Sequence, residues 1–129
     1  MQFGRSAGAI LSLAVMLISP ARASSLQANL KRLDPETRLE QVCDLEAMKR
    51  IRSDGRYAPD RAKSYVTSAP RRSGHTLTAR GAAFRSGGRW FAFSFTCTGS
   101  PDHLRVTAFS YQVGKQIPES AWNAYGLWR

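Results

Sequence analysis

Two cysteines, two histidines and a handful of carboxylates are the residues of this 129-residue chain whose types could do covalent, metal or acid–base chemistry. Cys43 and Cys97 lack the Cys-x-x-Cys spacing of redox centres, and an even count in an exported chain reads as one structural disulfide. Closing a loop of about 55 residues would stabilise the fold by ~4 kcal/mol in the chain-entropy model. His75 and His103 have no metal-ligand spacing to another ligand, and no Ser-His-Asp pattern or nucleophile elbow accompanies them. Pro101-Asp102-His103 reads as a turn ahead of a dyad. Glu46 and Glu119 could face one another from two helices for glycoside hydrolysis, but surface ion pairing is the simpler reading. Gly87-Gly88 precedes a strand instead of opening a helix, so it is not a phosphate loop. No catalytic residue, metal ligand or cofactor follows from these patterns.

Charge is more suggestive. The chain carries 19 Lys and Arg against 9 Asp and Glu, a formal net charge of +10. Residues 24–54 are balanced, six bases to six acids, whereas residues 55–129 hold eleven bases and three acids. A basic half of this kind favours a polyanionic partner. Nine of its eleven bases are arginine, which is equally consistent with a merely solvated surface.

The first residues read as an address. Arg5 supplies a basic start, AGAILSLAVMLIS an apolar run too short to span a bilayer, and Ala21-Arg22-Ala23 a small-x-small cleavage signal. The sequence therefore predicts a signal peptide over 1–23, a mature chain from Ser24, and a periplasmic or secreted location. Residues 24–129 are enough for one compact domain, with no transmembrane segment. Outside the cytoplasm the polyanion would be an envelope glycan or lipid phosphate, not nucleic acid.

The elements that must position these residues follow from periodicity. Asp34-Pro35 is an N-cap and first-turn proline, after which Leu39, Val42, Cys43, Ala47 and Ile51 recur at helical spacing. This predicts one long N-terminal helix over about 35–52, with Cys43 facing the core. Period-two runs then predict strands near 62–68, 75–85, 89–98 and 104–113, joined as an antiparallel meander. Ser86-Gly87-Gly88 is a tight hairpin turn, Gly81 marks a bulge, and the last strand is bulged because Leu104 and Val106 differ in parity from Phe109, Tyr111 and Val113. A short helix over 118–125 ends near Gly126, and Trp122, Tyr125 and Leu127 cap one end of the core. The expected class is α+β.

In the third strand Phe91, Phe93, Phe95 and Cys97 share the core face. By the same parity the outer sheet face presents Thr76, Thr78, Arg80, Trp90, Ser94, Thr96, Arg105 and Thr107. Arg80, Arg89, Trp90 and Arg105 are the candidate anion- or glycan-binding residues, since guanidinium forks and an indole suit acids and sugars. The favoured function is a noncatalytic binding module for an anionic envelope component. A partner of another envelope protein, anchored through Trp122, Tyr125 and Trp128, ranks second. A small envelope-polymer hydrolase ranks last.

LDPETRLEQVCDLEAMKRI, YAPDR, GAAFRSGGRWFAFSFTC, PDHLRVTAFSYQVG and IPESAW together resemble an uncharacterised family of exported alphaproteobacterial proteins, domain of unknown function 930. The resemblance spans almost the whole mature chain. It implies export, a single domain and a helix-to-strand disulfide, and it implies no reaction.

Overall fold

The computed structural model describes Gly4 and residues 20–129, with side chains from residue 25 onward. Apart from Gly4 and its last four positions, the expected signal peptide lies outside the described residues.

The architecture is α+β. The long helix, α2 (Pro35–Ser53), begins as expected: Asp34 caps it by accepting from the Thr37 backbone N–H at 3.0 Å, with proline in the first turn. It buries Leu39, Val42, Cys43, Ala47 and Ile51 against the sheet. It is not, however, the first helix. α1 (Pro20–Lys31) precedes it. Helical patterning in α1 is weak, and its end is held by a residue of the following helix. Arg38 donates to the carbonyls of Leu30, Lys31 and Leu33 at 2.9–3.0 Å, satisfying groups that a helix C-terminus leaves open.

Five strands make one antiparallel sheet: β1 (Pro59–Lys63), β2 (Arg71–Ser73), β3 (Thr76–Ser86), β4 (Arg89–Gly99) and β5 (Val106–Gln116). The order is β1-β3-β4-β5, with β2 also on β3. The strand expected at 62–68 is therefore corrected to two short pieces on one edge. Between them the chain loops around Gly81, whose carbonyl accepts from the N–H groups of both Val66 (2.8 Å) and Thr67 (2.9 Å). A Cβ at position 81 would overlap the Ser68 backbone, so only glycine permits this approach. The register of β3 on β4 shifts between Ala79 and Ala82, which is the bulge expected there. Ser86 pairs Arg89 across Gly87 and Gly88, both at positive φ (59° and 73°), as the two-residue hairpin requires. The last strand starts and ends later than expected, after a turn over 100–105, and its register shifts beside Gly99 as parity foretold.

A core of α2 and the inner sheet face contains Leu39, Cys43, Ile51, Leu77, Phe84, Phe93, Phe95 and Cys97. Cys43 and Cys97 are disulfide-bonded within it, with Cα atoms 6.0 Å apart. A second, smaller core lies on the other face of the sheet and comprises Val66, Ala83, Trp90, Ile117, Trp122 and Leu127. This corrects the expected place of Trp122 and Leu127. After β5, α3 (Glu119–Trp122) and one 3-10 turn ending at Gly126 carry them to the opposite side, where they cover Trp90.

Candidate functional site

The outer face divides into two regions. At the hairpin end Trp90 is fully buried, its Nε1 donating to the Trp128 carbonyl at 2.6 Å. Arg85 stands over both indoles, 5.9 Å from the Trp90 ring and 5.8 Å from the Trp128 ring, and is clamped by two bonds to Asp60 (2.9 and 2.8 Å). Hydrogen bonding from Arg85 also holds the Asp60 carboxyl below its ordinary range. Trp90 is therefore a packing residue here, with no face left for a sugar. Trp122 is buried as well, while Tyr125 and Trp128 stay partly exposed.

The other region is open and lined by polar side chains. Cross-strand registry aligns Arg71, Thr78, Thr96 and Ser110 in one row over β2, β3, β4 and β5. A second row holds Ser73, Thr76, Thr98 and Ala108, and the Thr76 and Thr98 hydroxyls bond at 3.0 Å. Ser94 and Gln112 pair beside the first row. A shallow trough of about 300 Å³ runs past Thr78, Arg80, Ser94, Thr96, Ser110 and Gln112. A second hollow of about 230 Å³, lined by Ser68, Ala69, Arg71, Thr78 and Arg80, adjoins it. Among the described residues neither Arg71 nor Arg80 is in an ion pair, whereas Arg50, Arg72, Arg85 and Arg129 each hold a carboxylate. Both are exposed.

The other arginines singled out by sequence do not join them. Arg89 is the first residue of β4 and shares the parity of Phe91, which places it on the helix side. Arg105 lines a groove with Leu30, Val42 and Leu45, again on the helix side, at the far end of β4. Ten residues of strand separate the two ends, about 33 Å. Arg71 was not placed on this face because the strand expected over 62–68 ends before β2 begins. The alternation of Arg71, Ser73 and Thr76 around the Ser73-Gly74 turn was the available signal.

Titratable groups elsewhere are occupied structurally. Glu46 bonds Arg50 one turn on at 2.8 Å, and Glu119 bonds Arg129 at 3.0 Å. The Asp102 carboxylate closes its own turn, accepting from the Ser100 hydroxyl (2.6 Å) and the Leu104 N–H (3.0 Å), and these bonds hold it below its usual range. His75 Nδ1 and His103 Nε2 lie 2.9 Å apart, and His103 Nδ1 is 2.7 Å from the Pro35 carbonyl. The sequence offered no spacing that would pair these histidines. Among the described residues no three of His, Cys, Asp and Glu gather as metal ligands.

A long helix cross-linked to the centre of an antiparallel sheet, with a hydroxyl-lined trough on the sheet's far side, defines a disulfide-bonded α+β protein with a polar outer surface. Among the described residues no helix is long and apolar enough to cross a membrane. The chain belongs to the family described as Domain of Unknown Function (DUF930), whose model matches residues 30–127. No curated protein and no solved structure matches it.

Proposed function

We propose that this protein is a noncatalytic binding module for an acidic glycan of the cell envelope, held in the outer-face trough. The observation that carries this reading is the pair of exposed arginines on this face, Arg71 and Arg80, on either side of Thr78 and, among the described residues, held by no carboxylate. A guanidinium not held by a protein carboxylate is free to take a sugar acid through two parallel hydrogen bonds. Thr78, Thr96, Ser110 and Gln112 offer donors and acceptors at strand spacing for the hydroxyls of a chain lying across the sheet. No exposed indole lines the trough, so recognition rests on hydrogen bonds and charge. The binding set thus keeps Arg80, gains Arg71 and leaves out Trp90, Arg89 and Arg105.

The setting is a single exported domain, periplasmic or secreted, with residues 1–23 removed after Ala23. Support for export comes from the Arg5, apolar-run and Ala21-Arg22-Ala23 sequence and from a buried disulfide, which suits an oxidising compartment. Mass spectrometry of protein from its native host should find Ser24 at or within a residue or two of the N-terminus; intact Met1 protein in membranes would refute it.

Binding is tested by titrating wild type, Arg71→Gln/Arg80→Gln and Arg89→Gln/Arg105→Gln with uronic-acid oligosaccharides. Wild-type affinity should fall as salt rises, since exposed charges are screened over ~8 Å at physiological ionic strength. The first double variant should bind at least about tenfold more weakly, ~1.4 kcal/mol, and the second should match wild type. Equal losses in both would mean diffuse net charge with no site. Anionic vesicles form a second arm: binding to these and not to oligosaccharide would assign the arginines to lipid phosphate.

A further inference from the structure

The two edges of the sheet are treated differently. The β1–β2 edge is broken into strands of five and three residues, flanked by Pro59 and Pro70 and studded with Arg61, Lys63, Arg71 and Arg72. Prolines, charges and short strands are the usual devices that stop an edge from pairing with another chain. β5 has eleven residues, and among the described residues no strand pairs with its outer side. From Val106 to Gly114 it contains neither a charge nor a proline. Its two irregularities fall beside Gly99 and between the partners of Phe91 and Phe93, which leaves Ala108–Val113 as a regular run. On its inner face Phe109, Tyr111 and Val113 remain only half-buried, and Ser110 and Gln112 are exposed on the other.

We propose that β5 is a self-association edge, on which a second copy of this chain pairs β5 to β5, antiparallel, across a two-fold axis. The occupant follows from charge. A chain whose residues 24–129 carry 17 bases against 9 acids repels its own copy wherever its bases meet, and this edge keeps charge out of the contact. A two-fold axis also makes the edge its own complement, each strand offering the N–H and C=O groups that the other lacks. Opposite residues in an antiparallel pair face the same way, so the axis must pass through a residue position for apolar to meet apolar. Centring on Tyr111 sets Phe109 against Val113 of the second copy, Ser110 against its Gln112, and Lys115 against its Thr107. Centring on Ser110 would bring Arg105 towards Lys115 of the second copy. Of these two registers, only the one centred on Tyr111 opposes no like charges. It also continues the outer face from one copy to the next, so that Ser110 and Gln112 of both copies line one trough between two pairs of arginines; this last consequence rests on the binding reading above.

Sedimentation measures the association directly and without any ligand. Wild-type protein should shift from monomer to dimer mass over a concentration series. Ser110→Lys/Gln112→Lys and Ser110→Glu/Gln112→Glu should each weaken dimerisation at least about tenfold, because they oppose like charges across the axis. Mixed one to one, the two variants should form a heterodimer in which every lysine meets a glutamate. Melting temperatures near wild type would verify that both variants are folded, as expected at exposed strand positions. Wild type that stays monomeric to roughly millimolar concentration overturns the proposal. So does a dimer whose affinity is unchanged in both charge variants.

Discussion

His75 Nδ1 stands 2.9 Å from His103 Nε2, and the direction of that bond is fixed by a third group. The Pro35 carbonyl, 2.7 Å from His103 Nδ1, can only accept, so Nδ1 of His103 carries the proton, and in the neutral ring its Nε2 accepts from His75. The relay ties the β2–β3 turn to the β4–β5 turn and to the first residue of α2. His103 is buried and is the one described non-glycine residue at positive φ (57°), so the chain holds a strained conformation to place this ring. His103→Ala should cost about 1–3 kcal/mol by urea unfolding, since it leaves the Pro35 carbonyl without its donor. His75→Ala, at an exposed position, should cost less, about 0.5–1.5 kcal/mol. Equal and negligible effects would mean that the turn needs neither ring.

The disulfide links residues 54 apart in sequence, and both cysteines are fully buried. Alkylation of native protein without reductant should find no free thiol. The Cys43→Ala/Cys97→Ala variant should lose about 4 kcal/mol from loop entropy. Reduction should proceed only under conditions that also open the core, since neither sulfur meets solvent in the folded state.

Asp44 is buried on α2, its Oδ1 has no hydrogen-bond partner among the described residues, and Glu40 lies one turn before it. Burial, and then the neighbouring Glu40 charge, push its carboxyl well above the ordinary value of 3.8. An acid whose folded pKa is raised binds its proton more tightly when folded, so its contribution to stability falls as pH rises from the unfolded value through the folded one. Asp44→Asn should therefore raise the melting temperature at pH 7, and the gain should shrink towards zero near pH 3, below the unfolded value, where the wild-type carboxyl is protonated in both states. A gain independent of pH would show that ionisation is not its source.

Trp90 anchors the second core. Trp90→Ala should cost about 3–5 kcal/mol. It should also release the C-terminal segment, whose Trp128 carbonyl and ring both rest on that indole (ring centroids 5.4 Å apart). Proteolysis after Tyr125 or Trp128 should become faster in the variant than in wild type. Trp90→Phe, which keeps much of the ring but loses the N–H, should retain part of the stability.

Local chemistry made part of this fold legible in the residues themselves. Asp34-Pro35 could begin only a helix of this kind, the Leu39-to-Ile51 stripe set which face it buries, Gly87-Gly88 set the hairpin, and strand parity put Cys97 opposite Cys43. Each rests on neighbours within a few residues, or on a period that a single segment displays. The tertiary structure alone decided the rest. Parity told that Trp90 points away from the Phe91 face, but not that this side would be covered, because its cover comes from Ile117, Trp122 and Leu127, some thirty residues on. α1 was not legible since its last carbonyls are satisfied by Arg38, outside its own pattern. The same holds for the arginines: a basic half is a property of composition, whereas Arg71 and Arg80 share one surface, and Arg89 and Arg105 do not, through the fold of the edge strand around Gly81 and the two ends of β4. Composition counts charges; only the sheet's register sets the distances between them, and an anion responds to distance.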